Sequence, residues 1–450
     1  MSQLPIKPLN SRFTDGQWQS IYESGHNILV SASAGSGKTT VLVQRVIEKI
    51  KAGVNVDELL IVTYTEAAAK EMKERIKKAI QQAVTSESNP EQKQHLVRQM
   101  SLLSQASIST LHAFCLQVIR RYYYLIDLDP VFRLLTDETE IILLKEAVWE
   151  EVRETLYGDD TSSFLDLARA YSNDRSDAGL TDLIFSLYEF SRANPDPEYW
   201  LTNLSDLYNT SVDSFSQGTL FQKLIKPQLS DILIRLAELD SAAAKIGEGV
   251  EELEKQVQIV ASEANHYKEV LSLIQNDLYQ EAYQLVESFE FIRWKAVKKS
   301  ADDSLKEAGN EMKLLRDQAK KSYVEMKEDY FSTSLEKQIA ILSKAVPLVQ
   351  EMARVTKTFT QAYRERKNER NLLDFNDLEH LTLQILAKNE EQNWTPTEAS
   401  IHYREKFKEV MIDEYQDINK LQENIMHWLT QSHTQEGNLF MVGDVKQSIY

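Results

Sequence analysis

Short apolar runs and helix-period segments alternate over the first 125 residues. "NILVSAS" (27–33), "ELLIVTYT" (58–65) and "ASIST" (106–110) have strand length and composition. Each precedes a segment whose apolar positions recur three and four apart: a helix from about Gly37, then "EAAAKEMKERIKKAIQQA", then "LHAFCLQVIRRYYY". This alternation predicts a parallel α/β sheet. The pattern returns at the end of the chain, where "EVMIDEYQD" and "NLFMVGD" read as strands and "INKLQENIMHWLTQS" as the helix between them. The two ends therefore read as pieces of one sheet.

Between them the texture is helical. "DETEIILLKEAVWEEVRETLYG", "EELEKQVQIVASEANHYKEVLSLIQ" and "KQIAILSKAVPLVQEMARVTKTFTQAYRERK" carry apolar stripes beside faces of Glu and Lys, and Gly is absent from 250 to 308. No fixed repeat stands out, so an all-helical insertion is expected rather than a solenoid. "SRANPDPEYW" and "NWTPTEAS" read as loops from their Pro, Asn and Asp content. The expected organisation is an α/β domain from 1–125 and 371–450, split by a helical subdomain at 126–370.

Composition narrows the class. The 450 residues are 42% hydrophobic and 27% charged, as in a globular protein, and no run of about 18 apolar residues marks a membrane span. The N-terminus "MSQLPIKPLN" lacks a secretory layout, so a cytoplasmic protein is expected. The single Cys115 excludes an internal disulfide and a multi-cysteine metal site within the chain. A net charge of −18 argues against nucleic acid until its distribution is considered: residues 1–130 carry +3 and the remainder −21. The N-terminal segment is the part expected to face a polyanion.

The strongest chemical signal is Ala32-Ser33-Ala34-Gly35-Ser36-Gly37-Lys38-Thr39-Thr40. It lies between a strand and a helix, the context a phosphate-binding loop requires. Small residues let backbone N–H groups surround phosphates at a helix N-terminus, where Lys38 supplies charge and Thr39 a hydroxyl ligand for Mg²⁺. Ala32 stands where the usual pattern has Gly. The alternative is an ordinary Gly-rich turn. Asp413-Glu414, ending an apolar run, supplies a carboxylate for the metal and a base for water; taken alone, such a pair is as often a solvated turn.

"FTDGQWQSI", "ASAGSGKTT", "TYTEAAAKEM", "STLHAFC", "DFNDLEHL", "VMIDEYQD" and "VGDVKQSIY", in that order, resemble the motif series of superfamily 1 helicases of the UvrD/RecB type, and within it the AddA (RexA) branch of bacterial helicase–nucleases. The resemblance covers the two outer segments, about 200 residues. It implies a RecA-like P-loop NTPase fold, ATP and Mg as ligands, 3′-to-5′ movement on DNA, contact with single-stranded and duplex DNA, a partner in the form of a second helicase–nuclease subunit, and work in double-strand break repair and recombination. It also implies that the chain is the N-terminal motor half of a longer protein, weak in turnover without a second RecA-like domain.

Site residues follow from the same resemblance. Gln17 would read the adenine and Arg45 approach the nucleotide; Asp413 would serve Mg²⁺ and Glu414 the attacking water; Gln447 would sense the γ-phosphate. Thr63, Tyr64, Thr65, Thr110, His112 and Tyr450 would lie along single-stranded DNA. As bare residues, Tyr64 reads as a core aromatic, His112 as a structural histidine, and Gln17 as an exposed glutamine at a helix start. "FIRWKAVKK", with Arg293, Trp294, Lys295, Lys298 and Lys299, is a candidate duplex-binding patch or a solvated basic helix face. "YRERKNER" reads as an exposed, self-paired helix. Two other classes stay open: a P-loop ATPase of the ABC type, whose Leu-Ser-Gly-Gly signature is absent here, and a non-catalytic nucleotide-dependent binding module, which would have no need of Glu414.

Overall fold

A computed structural model describes residues 4–33, 35–159, 162–173, 176–298, 301–431 and 437–444. In chain order the elements are α1 (Asp15–Tyr22), β1 (Ile28–Ser31), α2 (Lys38–Lys51), β2 (Leu59–Thr63), α3 (Glu66–Ser86), α4 (Pro90–Leu102), β3 (Ser107–Thr110) and α5 (Leu111–Tyr122). Next come β4 (Arg133–Leu134), α6 (Glu138–Gly158), α7 (Ser162–Tyr171), α8 (Ala178–Arg192), α9 (Pro197–Thr202), α10 (Lys226–Ile246), α11 (Glu254–Gln275), α12 (Tyr279–Ser288), α13 (Asp303–Tyr330) and α14 (Leu335–Glu369). The chain ends with β5 (Leu372–Leu373), α15 (Phe375–Leu386), β6 (Ala387–Glu390), β7 (Asn393–Pro396), α16 (Glu398–Lys406), β8 (Glu409–Asp413), α17 (Lys420–Leu429) and β9 (Leu439–Gly443). Two compact units result: Met1–Asp160 with Tyr171–Trp200 and Val355–Tyr450, and Thr161–Ala170 with Leu201–Arg354.

The first unit is built on a five-stranded sheet in the order β1-β9-β8-β2-β3, every pair parallel. Both ends of the chain contribute to it, as the sequence pattern predicts. All five residues of β2 are buried, the expected outcome for a parallel strand covered on both faces. Alternation decides which layer each side chain joins: Leu60, Val62, Val410 and Ile412 pack with Phe114, Val118, Leu378 and Ile425, whereas Leu59, Ile61, Met411 and Phe440 pack with Leu42, Val46, Met72 and Ile76. The result is a helix–sheet–helix sandwich. Because the strands are parallel, their C-terminal ends share one edge, where ligands of open α/β sheets bind.

Local chemistry fixes where the helices at that edge begin. Thr65 and Thr110 accept hydrogen bonds from the N–H groups of Ala68 and Ala113, starting α3 and α5 directly after β2 and β3. Thr14 with Gln17, Asp374 with Asp377, and Asn419 with Gln422 close reciprocal capping boxes at α1, α15 and α17.

The helices α6 and α8 belong to the first unit, so contacts divide the chain at other points than the composition shifts near 125 and 370. Three local expectations need correction. "NWTPTEAS" is not a loop: Asn393–Pro396 pairs antiparallel with Ala387–Glu390, and Thr397 caps α16. Pro197 opens the short α9, as proline can at a first helical turn. In "YRERKNER" the side chains of Tyr363 and Lys367 are buried, and Lys367 pairs with Asp374 and Asp377.

The second unit is helical. Leu229 and Leu233 of α10, Tyr267 and Val270 of α11, Val286 of α12, and Ala319 and Tyr323 of α13 form its core. Arg316 crosses this core to both carboxylate oxygens of Glu263, at 2.8 and 2.6 Å. "FIRWKAVKK" is not helical over its described residues, and Trp294 packs beside the cluster of Leu253, Val260 and Met312, with Arg316 5.4 Å from its ring. Arg293, Lys295 and Lys298 are exposed, whereas Lys299 lies outside the described residues. No helix among the described residues is long and apolar enough to cross a membrane.

Candidate nucleotide and nucleic-acid site

The loop after β1 reaches the helix α2 through two left-handed glycines, Gly35 (φ 76°) and Gly37 (φ 84°). Gly37 occupies the N-cap of α2 with no side chain capping it, so the first N–H groups of that helix stay available for an anion. Gln17 braces the loop from outside. Its Nε2 donates to the Ser36 carbonyl at 2.8 Å while its Oε1 accepts from the Thr14 N–H at 2.9 Å. The side chain expected to read an adenine thus stands beside the loop with both ends of its amide engaged by backbone. Ala34 lies outside the described residues, as do Gln447 and Tyr450.

Lys38, first residue of α2, extends to Glu414 at the end of β8, Nζ to Oε2 at 3.1 Å. Its side chain is 10% exposed and that of Glu414 36%. Residues 376 positions apart in sequence therefore meet at the sheet edge. Glu414 has a left-handed backbone (φ 56°), a strained conformation for a non-glycine residue of the kind found at functional sites. Burial, followed by the charge of Glu414, holds the Asp413 carboxyl above the usual carboxylate range, with Lys38 opposing. Two adjacent acids facing one lysine form a site that a hard cation would relieve.

Gln416 organises this turn, although its role had no place among the sequence expectations. Its Nε2 donates to Glu414 Oε2 at 2.9 Å, and its Oε1 accepts from the Asp444 N–H at 2.9 Å, joining the loops after β8 and β9. A methyl group on Gly443 would lie 2.6 Å from Gln416 Oε1, so glycine permits this close approach. The legible signal was the run "DEYQD" itself, since an amide both donates and accepts.

Arg45 requires correction. It is 1% exposed and grips Glu409 in a fork, Nη2 to Oε1 at 2.5 Å and Nε to Oε2 at 3.1 Å, while Nη1 donates to the Ser20 carbonyl at 2.7 Å. Glu409 begins β8, at the opposite end of the strand from Asp413. Arg45 is therefore a structural tie between α1, α2 and the sheet, at the opposite end of β8 from Lys38 and Glu414.

The strands β2 and β3 bring the remaining candidates to the same edge. Thr63 is buried and its hydroxyl donates to the Thr65 carbonyl at 3.1 Å, which removes it from solvent. Thr65 and Thr110 use their hydroxyl oxygens as helix caps. Tyr64, by contrast, is 53% exposed rather than a core aromatic. The His112 side chain is 38% exposed, with Nε2 2.9 Å from Glu379 Oε1, and its ring lies 4.8 Å from that of Phe375. Phe114 and Cys115 are core, and burial pushes the Cys115 thiol up to about 12.

The hard oxygen donors Thr39 and Asp413 suit Mg²⁺, which typically takes few protein ligands and fills its sphere with phosphate and water. Among the described residues no group of three or more His, Cys, Asp or Glu could form a protein-only metal cage.

Residues 13–450 match the family described as the UvrD/REP helicase N-terminal domain. The chain is 52% identical over 447 residues to a protein of Enterococcus faecalis that bears the name of the A subunit of an ATP-dependent helicase/nuclease, covering 99% of this chain and 35% of that protein. Proteins of the same name from Ligilactobacillus salivarius and Listeria monocytogenes are 42% and 41% identical, over 98% and 99% of this chain and 35% and 36% of theirs. The chain thus spans about 35% of the length of the curated relatives it matches. With a parallel α/β sheet, a glycine loop opening a helix and an acid pair beside it, the chain belongs to the UvrD/REP helicase family, whose N-terminal domain it carries.

Proposed function

We propose that this chain binds Mg-ATP in the loop from Ala32 to Thr40 and couples hydrolysis to movement along single-stranded DNA, as the motor part of an ATP-dependent helicase–nuclease. The observation that carries this reading is the Lys38–Glu414 pair, beside Asp413 and an uncapped helix N-terminus. Arrival of a γ-phosphate would compete for Lys38 and release Glu414 to orient and deprotonate water. Thr39 and Asp413 would hold Mg²⁺, whose charge offsets that building on the phosphates. Gln17 would exchange its Ser36 contact for the adenine edge. By the resemblance, Gln447 would report the γ-phosphate and Tyr450 stack on a base, while Tyr64 and His112 face single-stranded DNA together with the helix N-termini capped by Thr65 and Thr110.

The relatives' name, which makes them one component of a helicase/nuclease, supports work beside a further subunit; DNA as substrate, break repair and 3′-to-5′ polarity are what the motif resemblance implies, and a cytoplasmic setting follows the sequence expectation. The test is ATP turnover with and without single-stranded DNA, with Glu414→Gln as reference. This variant should bind ATP as the unaltered chain does and hydrolyse it about 10² to 10⁴ times more slowly. Equal turnover by both would overturn the role of Glu414.

A further inference from the structure

His112, Glu379 and Gln422 form a hydrogen-bonded chain that the nucleotide chemistry leaves unexplained. Glu379 is 1% exposed, and its Oε1 accepts from Gln422 Nε2 at 2.7 Å while lying 2.9 Å from His112 Nε2. Its second oxygen, Oε2, is buried without a hydrogen-bond partner among the described residues. Burying a carboxylate is costly unless it is well paired, yet this one is committed to the edge of a half-exposed ring. Beyond that ring lies Phe375, 40% exposed, at the first position of α15.

The other end of the chain leads to the acid pair. Gln422 is the third residue of α17 and closes the capping box with Asn419: its N–H donates to Asn419 Oδ1 at 2.8 Å, and its Oε1 accepts from the Asn419 N–H at 3.3 Å. Asn419 follows the 3₁₀ turn Tyr415–Asp417, which Glu414 opens. A displacement of the acid turn would thus be carried by the start of α17 to Gln422, and through Glu379 to the His112 ring.

We propose that Glu379 is a positioning residue which fixes the His112 ring beside Phe375, forming a two-ring shelf for an unpaired nucleobase, and ties that shelf through Gln422 to the turn after Asp413-Glu414. The inference rests on the reading above that single-stranded DNA lies along this sheet edge. Ring stacking recognises bases regardless of sequence, so the ligand is the base face rather than the phosphate. Coupling through Gln422 makes nucleotide and DNA affinities interdependent, and such linkage is reciprocal.

The test measures binding of the 450-residue chain to a fluorescent oligothymidine and to the same strand with abasic sites, with and without a non-hydrolysable ATP analogue and Mg²⁺. Phe375→Ala should weaken oligothymidine binding about fivefold or more and leave the abasic strand unaffected. Glu379→Leu should do the same, and Glu379→Gln, which keeps an acceptor, should restore most of the loss. Gln422→Leu should keep the nucleotide-free affinity but lose the change that the analogue produces in the unaltered chain. Unchanged oligothymidine binding by both Phe375→Ala and Glu379→Leu, or equal losses on both strands, would overturn the shelf. Sensitivity to the analogue retained by Gln422→Leu, or missing from the unaltered chain, would overturn the tie. A chain that binds labelled ATP but neither strand sinks this inference and leaves the nucleotide reading standing; a chain that binds none of the three sinks both.

Discussion

At the scale of single residues, the sharpest contrast is between two cations of α2. Lys38, at the helix start, meets a partially exposed carboxylate across the site, whereas Arg45, two turns on, is sealed against Glu409. Both patterns are invisible in local spacing, because Glu409 and Glu414 lie more than 360 positions away. The expectation for Lys38 rests on local signal, since glycines and a helix start suffice to suggest a loop for phosphate. A helix arginine has no such signature, and its burial depends on which strand passes beneath. Arg45→Ala should leave the Glu409 charge buried beside Lys49 at 3.2 Å, without its fork partner, and cost about 3–5 kcal/mol of stability. A denaturant titration checks this, and nucleotide affinity of the folded variant should remain as in the unaltered chain. Loss of nucleotide binding without loss of stability would instead return Arg45 to the site.

At the scale of elements, strands were readable where the chain's own chemistry decides them: β2 is apolar because both its faces are covered. Thr65 and Thr110, expected along DNA, are found capping the helices that follow them. The β6–β7 hairpin escaped because polar and charged residues dominate it, and exposed hairpins need no apolar alternation. The helical unit buries titratable groups. Asp240 of α10 is buried near Glu263 and Arg316, and burial, with the Glu263 charge adding, raises its carboxyl to about 8. Folded chains therefore retain this proton where unfolded chains have lost it, from about pH 4 to 8, and stability falls as pH rises through that window. His266, stacked on Phe289 at 3.7 Å, is lowered to about 4 by burial, so its contribution is lost as pH falls from about 6.5 to 4. Asp240→Asn should raise the thermal midpoint more at pH 8 than at pH 5. An equal change at both values would contradict the assigned protonation.

For the whole molecule, the net charge of −18 is unevenly spread, and the segment that carries the glycine loop is the positive one. If oligonucleotide binding uses phosphate contacts at the sheet edge, affinity should fall steadily between about 50 and 200 mM salt, with a log–log slope of about −0.7 per phosphate contacted on a single strand. A flat salt dependence would assign DNA contact to stacking alone. Alternation of strand and helix at both ends made the divided sheet legible from pattern alone, because parallel pairing requires crossover helices. Where contacts partition the chain was not legible: α6 and α8 have the texture of the helical middle but pack in the unit that holds the sheet.

The measurement that bears most directly on the account is equilibrium binding of a fluorescent ATP to the unaltered chain and to Lys38→Ala, each with and without Mg²⁺, after both are shown to melt alike. Saturable, Mg²⁺-strengthened binding is expected of the unaltered chain and at least a tenfold loss of the variant, because a half-buried amine that meets phosphates would contribute a charge-assisted contact worth about 1.5–3 kcal/mol. Binding of equal strength by Lys38→Ala would contradict it, and would mean that the loop between β1 and α2 is a glycine-rich turn and no nucleotide site.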